Sequence, residues 1–352
     1  MRSRAQAGSS RRLILRDDAL AGKAIDVSTK PIPLFLLSLP RSGSTLAQRI
    51  LAAHEPIATA SEPWILLPYL YTLRESGIYT EYNHRVLVQA VEDFCTVLPG
   101  GRNDYVAEIR ELALRLYDKA SPRGTTYFLD KTPRYHLISS DIVTAFPEGK
   151  FIFLWRNPLA VVASIIETWA GGKWNIYRFK VDLFDGIENL IKTYERHEQN
   201  VHAVSYEALV KNPEETWAGV FRYLDLSFDR AALELFGDVE LAGRWGDRSG
   251  AQEYAEVSSD PLERWRQTLN NPVRKAWCRR YLHWIGRDRL AVMGYDLDGL
   301  IADLNSLPTT YRHIGSDVGR GCWGLIRDLS EPRILGQKLS KLPEWNRIHV
   351  HR

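Results

Sequence analysis

Short apolar segments alternate along the chain with longer segments in which apolar and polar residues recur at helical spacing. The short segments are rich in aliphatic and aromatic residues, which is typical of buried strands. They cover residues 34–39, 127–129, 151–155 and 202–205. The helix-like segments cover residues 45–54, 104–119, 159–169, 181–197 and 213–224. Strands that alternate with helices predict an α/β fold, in which crossover helices flank a central parallel sheet on both faces.

The first strand leads into the most informative stretch of the chain, residues 39–46, Leu-Pro-Arg-Ser-Gly-Ser-Thr-Leu. A strand, a short glycine loop and a helix together point backbone N–H groups at a phosphate. The serine and threonine hydroxyls add donors, and Arg41 adds a guanidinium suited to bidentate contact with an anion. The loop residues predicted to bind the ligand are Arg41, Ser42, Gly43, Ser44 and Thr45.

This loop is close to a nucleotide-binding P-loop but departs from it at two positions. The P-loop pattern requires a first glycine and a lysine before the final Ser or Thr. In register, this chain has Ser38 in place of the first glycine and Ser44 in place of the lysine. We therefore expect a P-loop-like three-layer fold that binds phosphate but lacks the lysine of a kinase or NTPase.

A second polar motif follows the strand at residues 151–155. Arg156 stands at the carboxyl end of that strand, where ligands bind in parallel sheets. Asn157 is a good N-cap and Pro158 a good first helical residue, so a helix is predicted to begin there. Ser164 lies eight residues beyond Arg156, about two turns along that helix.

Together these two motifs resemble the donor-binding motifs of sulfotransferases. Residues 40–46 look like the family's 5′-phosphosulfate-binding loop, and Arg156 with Ser164 looks like its 3′-phosphate-binding motif. The resemblance spans about residues 31–300 and is nearest to the branch that contains tyrosylprotein sulfotransferases and many bacterial enzymes. It implies 3′-phosphoadenosine-5′-phosphosulfate (PAPS) as the sulfuryl donor.

The resemblance also implies roles for three further residues. Glu62 matches the glutamate that acts as catalytic base in that branch, and Lys131 matches a lysine at a strand end. Tyr206, in a segment at 204–209 that resembles a later strand of the family, matches a tyrosine near the nucleotide. The catalytic residues implied are thus Glu62, Lys131 and Arg41. Two histidines, His54 and His136, compete with Glu62 for the role of base.

The chemistry implied is in-line transfer of a sulfuryl group from PAPS to an acceptor hydroxyl. The protein would position the reactants and stabilise the spreading negative charge with cations, so no metal is expected. A carbohydrate, a glycolipid or another small molecule is preferred as acceptor, and a peptide stays open. The family also implies a basic loop that closes over the donor. Its candidates are Arg244, Arg248, Arg264 and Arg266.

Composition and charge are those of a globular protein. The chain has 352 residues, 45% hydrophobic and 25% charged, with a net charge of +3. That charge is too small to indicate a nucleic-acid-binding protein. Three widely spaced cysteines indicate a reducing compartment without a disulfide framework. With no apolar run long enough to span a bilayer, we expect a cytoplasmic protein.

Outside residues 31–300 the chain changes character. Residues 1–30 are predicted to be flexible, and residues 70–125 are predicted to form a helical insert that shapes the acceptor pocket. Residues 301–352 form a basic, aromatic-containing extension, with seven Lys or Arg and three Asp or Glu between Arg320 and Arg352. This extension could contact a membrane peripherally. The preferred alternative is that it packs on the domain or pairs with another subunit in a homo-oligomer.

Two other functions remain open from the sequence alone. One is a nucleotide kinase with a degenerate P-loop, which the missing lysine disfavours. The other is a non-catalytic nucleotide-binding module, which would require neither Glu62 nor Lys131.

Overall fold

The chain folds around one central sheet of five strands. The computed structural model describes residues 30–75, 82–241, 258 and 260–330. The strands are β1 (Ile32–Ser38), β2 (Ile57–Thr59), β3 (Tyr127–Asp130), β4 (Lys150–Trp155) and β5 (His202–Ser205). Their order is β2-β3-β1-β4-β5, and every pairing is parallel. The predicted central parallel sheet is confirmed, with β1 at its centre.

Helices cover both faces of the sheet. In chain order they are α1 (Ser44–Ala52), α2 (Leu66–Tyr71), α3 (His84–Cys95), α4 (Arg102–Ala120), α5 (Ser139–Ala145), α6 (Pro158–Ala170), α7 (Gly186–His197), α8 (Tyr206–Lys211), α9 (Pro213–Tyr223), α10 (Ala232–Leu235), α11 (Trp265–Thr268), α12 (Pro272–Ile285), α13 (Arg287–Val292), α14 (Leu297–Ser306) and α15 (Ile314–Ser330). Short 3₁₀ turns, among them Pro133–Leu137 and Ile176–Phe179, connect some of these elements.

The three layers arise from side-chain alternation along strands that are apolar on both faces. In β1, Phe35 and Leu37 belong to one core, which includes residues of α4, α6, α7 and α12. Leu34 and Leu36 point the other way, into a second core with residues of α1, α8 and α9. Both faces of the sheet are therefore buried, and the strand ends are left to carry polar residues.

Three local features differ from the sequence-based expectation. The strand β2 was not predicted, because three residues of mixed polarity at a sheet edge carry too little pattern. The segment predicted as one helix over 181–197 begins with a π-helical turn, Val181–Asp185, before α7. The segment 204–209 is not one strand: β5 ends at Ser205, whose Oγ accepts from Ala208 N at 3.1 Å and caps α8.

The chain just beyond residue 300 packs into the same hydrophobic core as the residues before it. Residue 300 lies inside α14, and Leu304 and Leu307 are buried in the core that contains α12. Residues 1–29, 76–81 and 331–352, which include parts of the predicted flexible N-terminus, insert and C-terminal extension, lie outside the described residues. The division into a domain, an insert and an extension stays a prediction.

Candidate active site

The loop between β1 and α1 presents the amino end of a helix at the carboxyl edge of the sheet. Gly43, the residue before α1, has φ 87°, in the left-handed region. A Cβ at this position would lie 2.2 Å from Tyr206 Cδ2, so only glycine lets the ring pack against the loop. No side chain caps α1, and its first turn holds no acidic residue. The first amides of α1 thus have no side-chain cap, which is the arrangement in which a helix amino end can bind an anion.

Arg41 joins this loop to the second motif. It is one of four described non-glycine residues with positive φ, at 66°. Its Nε donates to Ser164 Oγ at 3.1 Å, and its carbonyl accepts from Arg156 Nη1 at 2.8 Å. Arg41, Arg156 and Ser164 meet because β1 and β4, which precede the loop and the second motif, are neighbours in the sheet.

Arg156 is held between several groups at the end of β4. It is only 8% exposed, and its guanidinium carbon lies 4.4 Å from the centre of the Tyr206 ring. Its Nη2 donates to the Pro261 carbonyl at 3.2 Å. Its Nε is buried and has no acceptor among the described residues. The cation is therefore oriented by the protein and retains a donor for a ligand.

Glu207 and Tyr295, which sequence analysis missed, support this end of the site. Glu207 Oε1 accepts from Asn157 N at 3.0 Å, and Glu207 Oε2 accepts from Tyr295 OH at 2.6 Å. Asn157 Oδ1 in turn caps α6 by accepting from Leu159 N at 2.9 Å. Glu207 thus ties the start of α8 to the start of α6. No local signal marks it, because its partners lie far away in the chain.

Glu62 and Lys131 form an ion pair near the opposite edge of the sheet. Lys131 follows β3, and its Nζ donates to Glu62 Oε1 at 2.9 Å. The lysine side chain is 1% exposed and the glutamate side chain 13% exposed. Glu62 Oε2 accepts from Trp64 Nε1 at 3.2 Å, and Trp64 has a positive φ of 59°. Both carboxylate oxygens of Glu62 thus accept a hydrogen bond, one from a buried lysine and one from a partly exposed tryptophan.

A buried glutamine on α1 positions the segment that carries Glu62. Gln48 is 0% exposed, and its Nε2 lies within hydrogen-bond distance of three oxygens of residues 59–61. These are Thr59 Oγ1 at 2.9 Å, Ala60 O at 2.6 Å and Ser61 O at 3.0 Å. Helix α1, which begins at the glycine loop after β1, therefore also positions the segment that leads to Glu62. The available sequence signal was one amide among apolar residues of α1.

A buried carboxylate positions the same segment from the other side. Asp130 accepts from Tyr117 OH at 2.7 Å, Tyr135 OH at 2.9 Å and Thr132 Oγ1 at 3.1 Å. Burial raises the pKa of Asp130 from its ordinary value of 3.8 to about 6, against the opposing effect of these three donors. Thr132 Oγ1 also accepts from Trp64 N, and Tyr135 OH accepts from the amide of Leu66.

The two histidines that compete for the base role have other partners. His54 follows the carboxyl end of α1, at the opposite end of this helix from the glycine loop. Its Nε2 lies 3.0 Å from Ser227 O. His136 is fully buried, and its Nε2 lies 3.0 Å from Asp182 Oδ1. These contacts favour Glu62 as base, and the assignment stays a prediction.

Of the four candidate arginines of the closing loop, two lie among the described residues. Arg244 and Arg248 lie outside the described residues. Arg266 pairs with Glu263 and lies 3.6 Å from Asp303. Arg264 stands three residues after Pro261, whose carbonyl contacts Arg156.

The described residues offer neither a metal-ligand cluster nor a membrane-spanning helix. No group of three or more His, Cys, Asp or Glu in that part of the chain could hold a metal ion. None of its helices combines the length and the apolar character that a membrane crossing requires.

Comparisons with known proteins agree with the motifs. The model of the sulfotransferase family matches residues 33–230, more than half of the chain. The nodulation protein NoeE of Sinorhizobium fredii is 28% identical over 302 residues, covering 77% of this chain and 68% of that protein. A protein-tyrosine sulfotransferase of Drosophila melanogaster is 26% identical over 210 residues, covering 57% of this chain and 39% of that protein.

Protein-tyrosine sulfotransferase A of Caenorhabditis elegans is 27% identical over 249 residues, with 68% of this chain and 62% of that protein covered. The chain thus spans less than two thirds of both protein-tyrosine sulfotransferases. Among solved structures, the sulfotransferase domain from the curacin biosynthetic pathway is similar at 22% identity and a TM-score of 0.48. That match covers 68% of this chain and 91% of the other.

Proposed function

The chain belongs to the sulfotransferase family and is a transferase, and we propose that it moves a sulfuryl group from PAPS to an acceptor hydroxyl. The observation that carries the proposal is the meeting of Arg41, Arg156 and Ser164 beside the amino end of α1. Arg41 and Arg156, which belong to the two motifs proposed to bind phosphate, are 115 residues apart in the chain and are in direct contact there. A donor with one phosphate at each end of its ribose fits such a pair of sites.

The donor residues divide into two groups. The uncapped first turn of α1, with Ser42 and Thr45, would hold the 5′-phosphate. Arg156 would hold the 3′-phosphate through its buried Nε, which has no acceptor among the described residues. Ser164 Oγ accepts from Arg41, which leaves its own proton free to be donated to the same phosphate. ATP, which lacks a 3′-phosphate, would not use this second group.

The base residues would act on the acceptor. Glu62 takes the proton of the acceptor hydroxyl while the acceptor oxygen forms a bond to sulfur. The bond between sulfur and the bridging oxygen of the donor breaks, and adenosine 3′,5′-bisphosphate leaves. Arg41 and Lys131 stabilise the negative charge that spreads over the sulfuryl and bridging oxygens.

The ion pair suggests how donor binding prepares the base. Lys131 Nζ donates to Glu62 Oε1, so the lysine neutralises the carboxylate when no anion is near. An anionic donor beside the loop competes for the same ammonium group. Its binding would draw the lysine from Glu62 and leave Oε1 available to the acceptor proton.

The acceptor side of Glu62 carries an aromatic surface. Trp64 donates its indole N–H to Glu62 and is 39% exposed. A partly exposed ring beside a base suits stacking on a sugar or another flat molecule. We propose a carbohydrate, glycolipid or small-molecule hydroxyl, and a tyrosyl peptide is the alternative that the names of the relatives suggest. A Trp64→Ala substitution should raise the acceptor KM more than it lowers kcat.

The donor assignment is tested by thermal unfolding with adenosine 3′,5′-bisphosphate, ADP and Mg-ATP. A ligand at a hundred times its Kd stabilises by about 2.7 kcal/mol. We expect a large shift with the bisphosphate and smaller shifts with the other two. The preference for bisphosphate over ADP should disappear in Arg156→Gln and persist in Arg222→Gln, an exposed arginine on α9. A shift with Mg-ATP alone would instead support the kinase alternative.

A further inference from the structure

The carboxyl-terminal helix α15 is docked on the protein by its polar side. Asp317, Arg320, Gly324 and Arg327 recur at helical spacing and therefore lie on one face. All four residues contact the segment 172–179 or the start of α12, Arg327 through the face of the Tyr177 ring at 5.7 Å and the others as described below. Amphipathic helices of globular proteins usually bury their apolar face instead. The orientation of α15 is thus the reverse of the usual one.

The docking contacts are specific and partly buried. Asp317 is 1% exposed and accepts from Arg274 Nε at 2.8 Å and from Asn271 Nδ2 at 2.7 Å. Arg320 Nη1 donates to Asn175 Oδ1 at 3.1 Å. A Cβ on Gly324 would lie 2.9 Å from Tyr177 Cβ, so the absence of a side chain permits the close approach. A buried ion pair with these neighbours fixes which face of the helix turns outward.

The outward face is apolar. Val318, Leu325 and Ile326 are 47%, 66% and 57% exposed, and Trp323 beside them is 59% exposed. Cys322, also exposed, lies between Val318 and Ile326 on that face. A contiguous exposed apolar face of this kind marks an interaction surface rather than ordinary scattered exposure.

Basic residues stand on either side of this face in the sequence. Arg312 and His313, both exposed, immediately precede the helix. Residues 331–352, which follow it directly in sequence, contain five Lys or Arg and two Glu. Basic residues before an apolar helix, and a following sequence with a net charge of +3, suit an anionic bilayer, whose headgroups attract cations while its acyl region receives apolar side chains.

A second copy of the chain fits these charges less well. Two α15 helices that paired by their apolar faces could run parallel or antiparallel. In either arrangement the second copy carries the same net positive charge before and after the helix in sequence, so it supplies no countercharge, whereas anionic headgroups do. We propose that the outward face of α15, formed by Val318, Cys322, Trp323, Leu325 and Ile326, binds the surface of an anionic lipid bilayer. This proposal is independent of the sulfuryl-transfer chemistry.

Vesicle flotation of the full chain tests the proposal. Vesicles of equal parts phosphatidylcholine and phosphatidylglycerol are compared with pure phosphatidylcholine vesicles, at low and at high salt. We expect flotation with the anionic vesicles that weakens with salt. The double substitution L325S/I326S should weaken the apparent affinity for anionic vesicles about a hundredfold, because each of the two buried aliphatic side chains contributes a factor of about ten or more. Both residues point away from the docking contacts, and an unchanged Tm confirms folding.

The matched control is F94S/V97S, which removes two apolar side chains, 57% and 73% exposed, from the α3 region. This variant should float like the unmodified chain. Equal flotation of L325S/I326S and the unmodified chain would overturn the proposal, as would absence of flotation with anionic vesicles. Sedimentation velocity without lipid gives the other outcome. A dimer that L325S/I326S dissociates, without vesicle binding, would show that a second copy covers the face.

Discussion

The donor half and the base half of the candidate site are held in place by different kinds of structure. The donor half, with Arg41, Gly43 and Arg156, stands on the adjacent strands β1 and β4, inside the sheet. The base half, with Glu62 and Lys131, follows β2 and β3, the two strands nearest one edge. The first depends on backbone conformation and strand adjacency. The second depends on buried polar side chains.

This difference predicts where each half is vulnerable. A change of backbone conformation should damage the donor half, while a change of protonation or the loss of one side-chain hydrogen bond should damage the base half. Both halves include a non-glycine residue with positive φ, Arg41 and Trp64. Such conformations cost of order 1–3 kcal/mol and are retained where surrounding contacts enforce them.

The largest effect is expected from Glu62→Gln, which should impair the base half and leave donor binding by the donor half intact. Removal of a general base lowers the rate by about 10²–10⁴-fold. The thermal shift with adenosine 3′,5′-bisphosphate should persist, because the donor residues are untouched. Turnover and ligand-induced unfolding shifts are measured together. The exposed Glu108→Gln on α4 is the control, and unchanged turnover in Glu62→Gln would place the base elsewhere.

The second largest effect is expected from Gly43→Ala, which should distort the loop of the donor half. The new Cβ would lie 2.2 Å from Tyr206 Cδ2. Positive φ costs about 1–2 kcal/mol for a non-glycine residue, and overpacking adds about 1–3 kcal/mol. Both the free energy of unfolding and the affinity for the bisphosphate should fall.

Gly171→Ala provides the matched control for strain alone. Gly171 has φ 57°, and a Cβ there would have no atom within 4 Å. Gly43→Ala should therefore be the more damaging change. A double-mutant cycle with Tyr206→Ala should show coupling between positions 43 and 206. If the two substitutions were additive, the clash with the ring would not be the cause.

A pH-dependent effect is expected from Asp130 in the base half. Because its folded pKa of about 6 exceeds its ordinary 3.8, the folded state binds this proton more tightly than the unfolded state. Stability from this group should therefore fall as pH rises from about 4 to about 6. Each pKa unit corresponds to about 1.4 kcal/mol, so the loss is on the order of 3 kcal/mol at most.

Asp130→Asn should remove this component of the pH dependence. Denaturant unfolding of both proteins across that pH range measures it. If the difference in unfolding free energy between the two proteins stayed constant with pH, Asp130 would not titrate in that interval. Bisphosphate affinity should be equal in the two proteins at each pH, since the hydrogen bonds of Asp130 go to Tyr117, Thr132 and Tyr135 rather than to residues of the donor half.

The smallest effect is expected from Gln48→Leu. Gln48 connects the donor half, through α1, to the segment that carries Glu62 in the base half. Three acceptors of residues 59–61 would lose their shared donor, at a cost of about 1–3 kcal/mol. We expect kcat to fall more than donor affinity, because the Glu62 segment is released while α1 keeps its amino end. Gln89→Leu, exposed on α3, is the control. A larger loss of donor affinity than of kcat would contradict this role.

The strands of the sheet show how far the sequence pattern reaches. Four segments were predicted as strands, and each overlaps a strand of the structure. Apolar runs of this kind are buried on both faces, so their composition alone is informative. The strand β2 pairs through only three residues and was not predicted. Its existence depends on its partner β3 rather than on its own residues.

Local sequence patterns predicted the parallel α/β arrangement, the glycine loop before α1 and the Arg156–Ser164 motif, because apolar periodicity and helix-start signals act between residues close together in the chain. Which distant residues meet depends on the tertiary fold. Lys131 reaches Glu62 across 69 positions, and Tyr295 reaches Glu207 across 88. The orientation of α15 is likewise a tertiary feature, because Asp317 is buried against Arg274 on α12 while Leu325 and Ile326 are exposed. Such partners depend on strand order and side-chain packing, which no local pattern encodes.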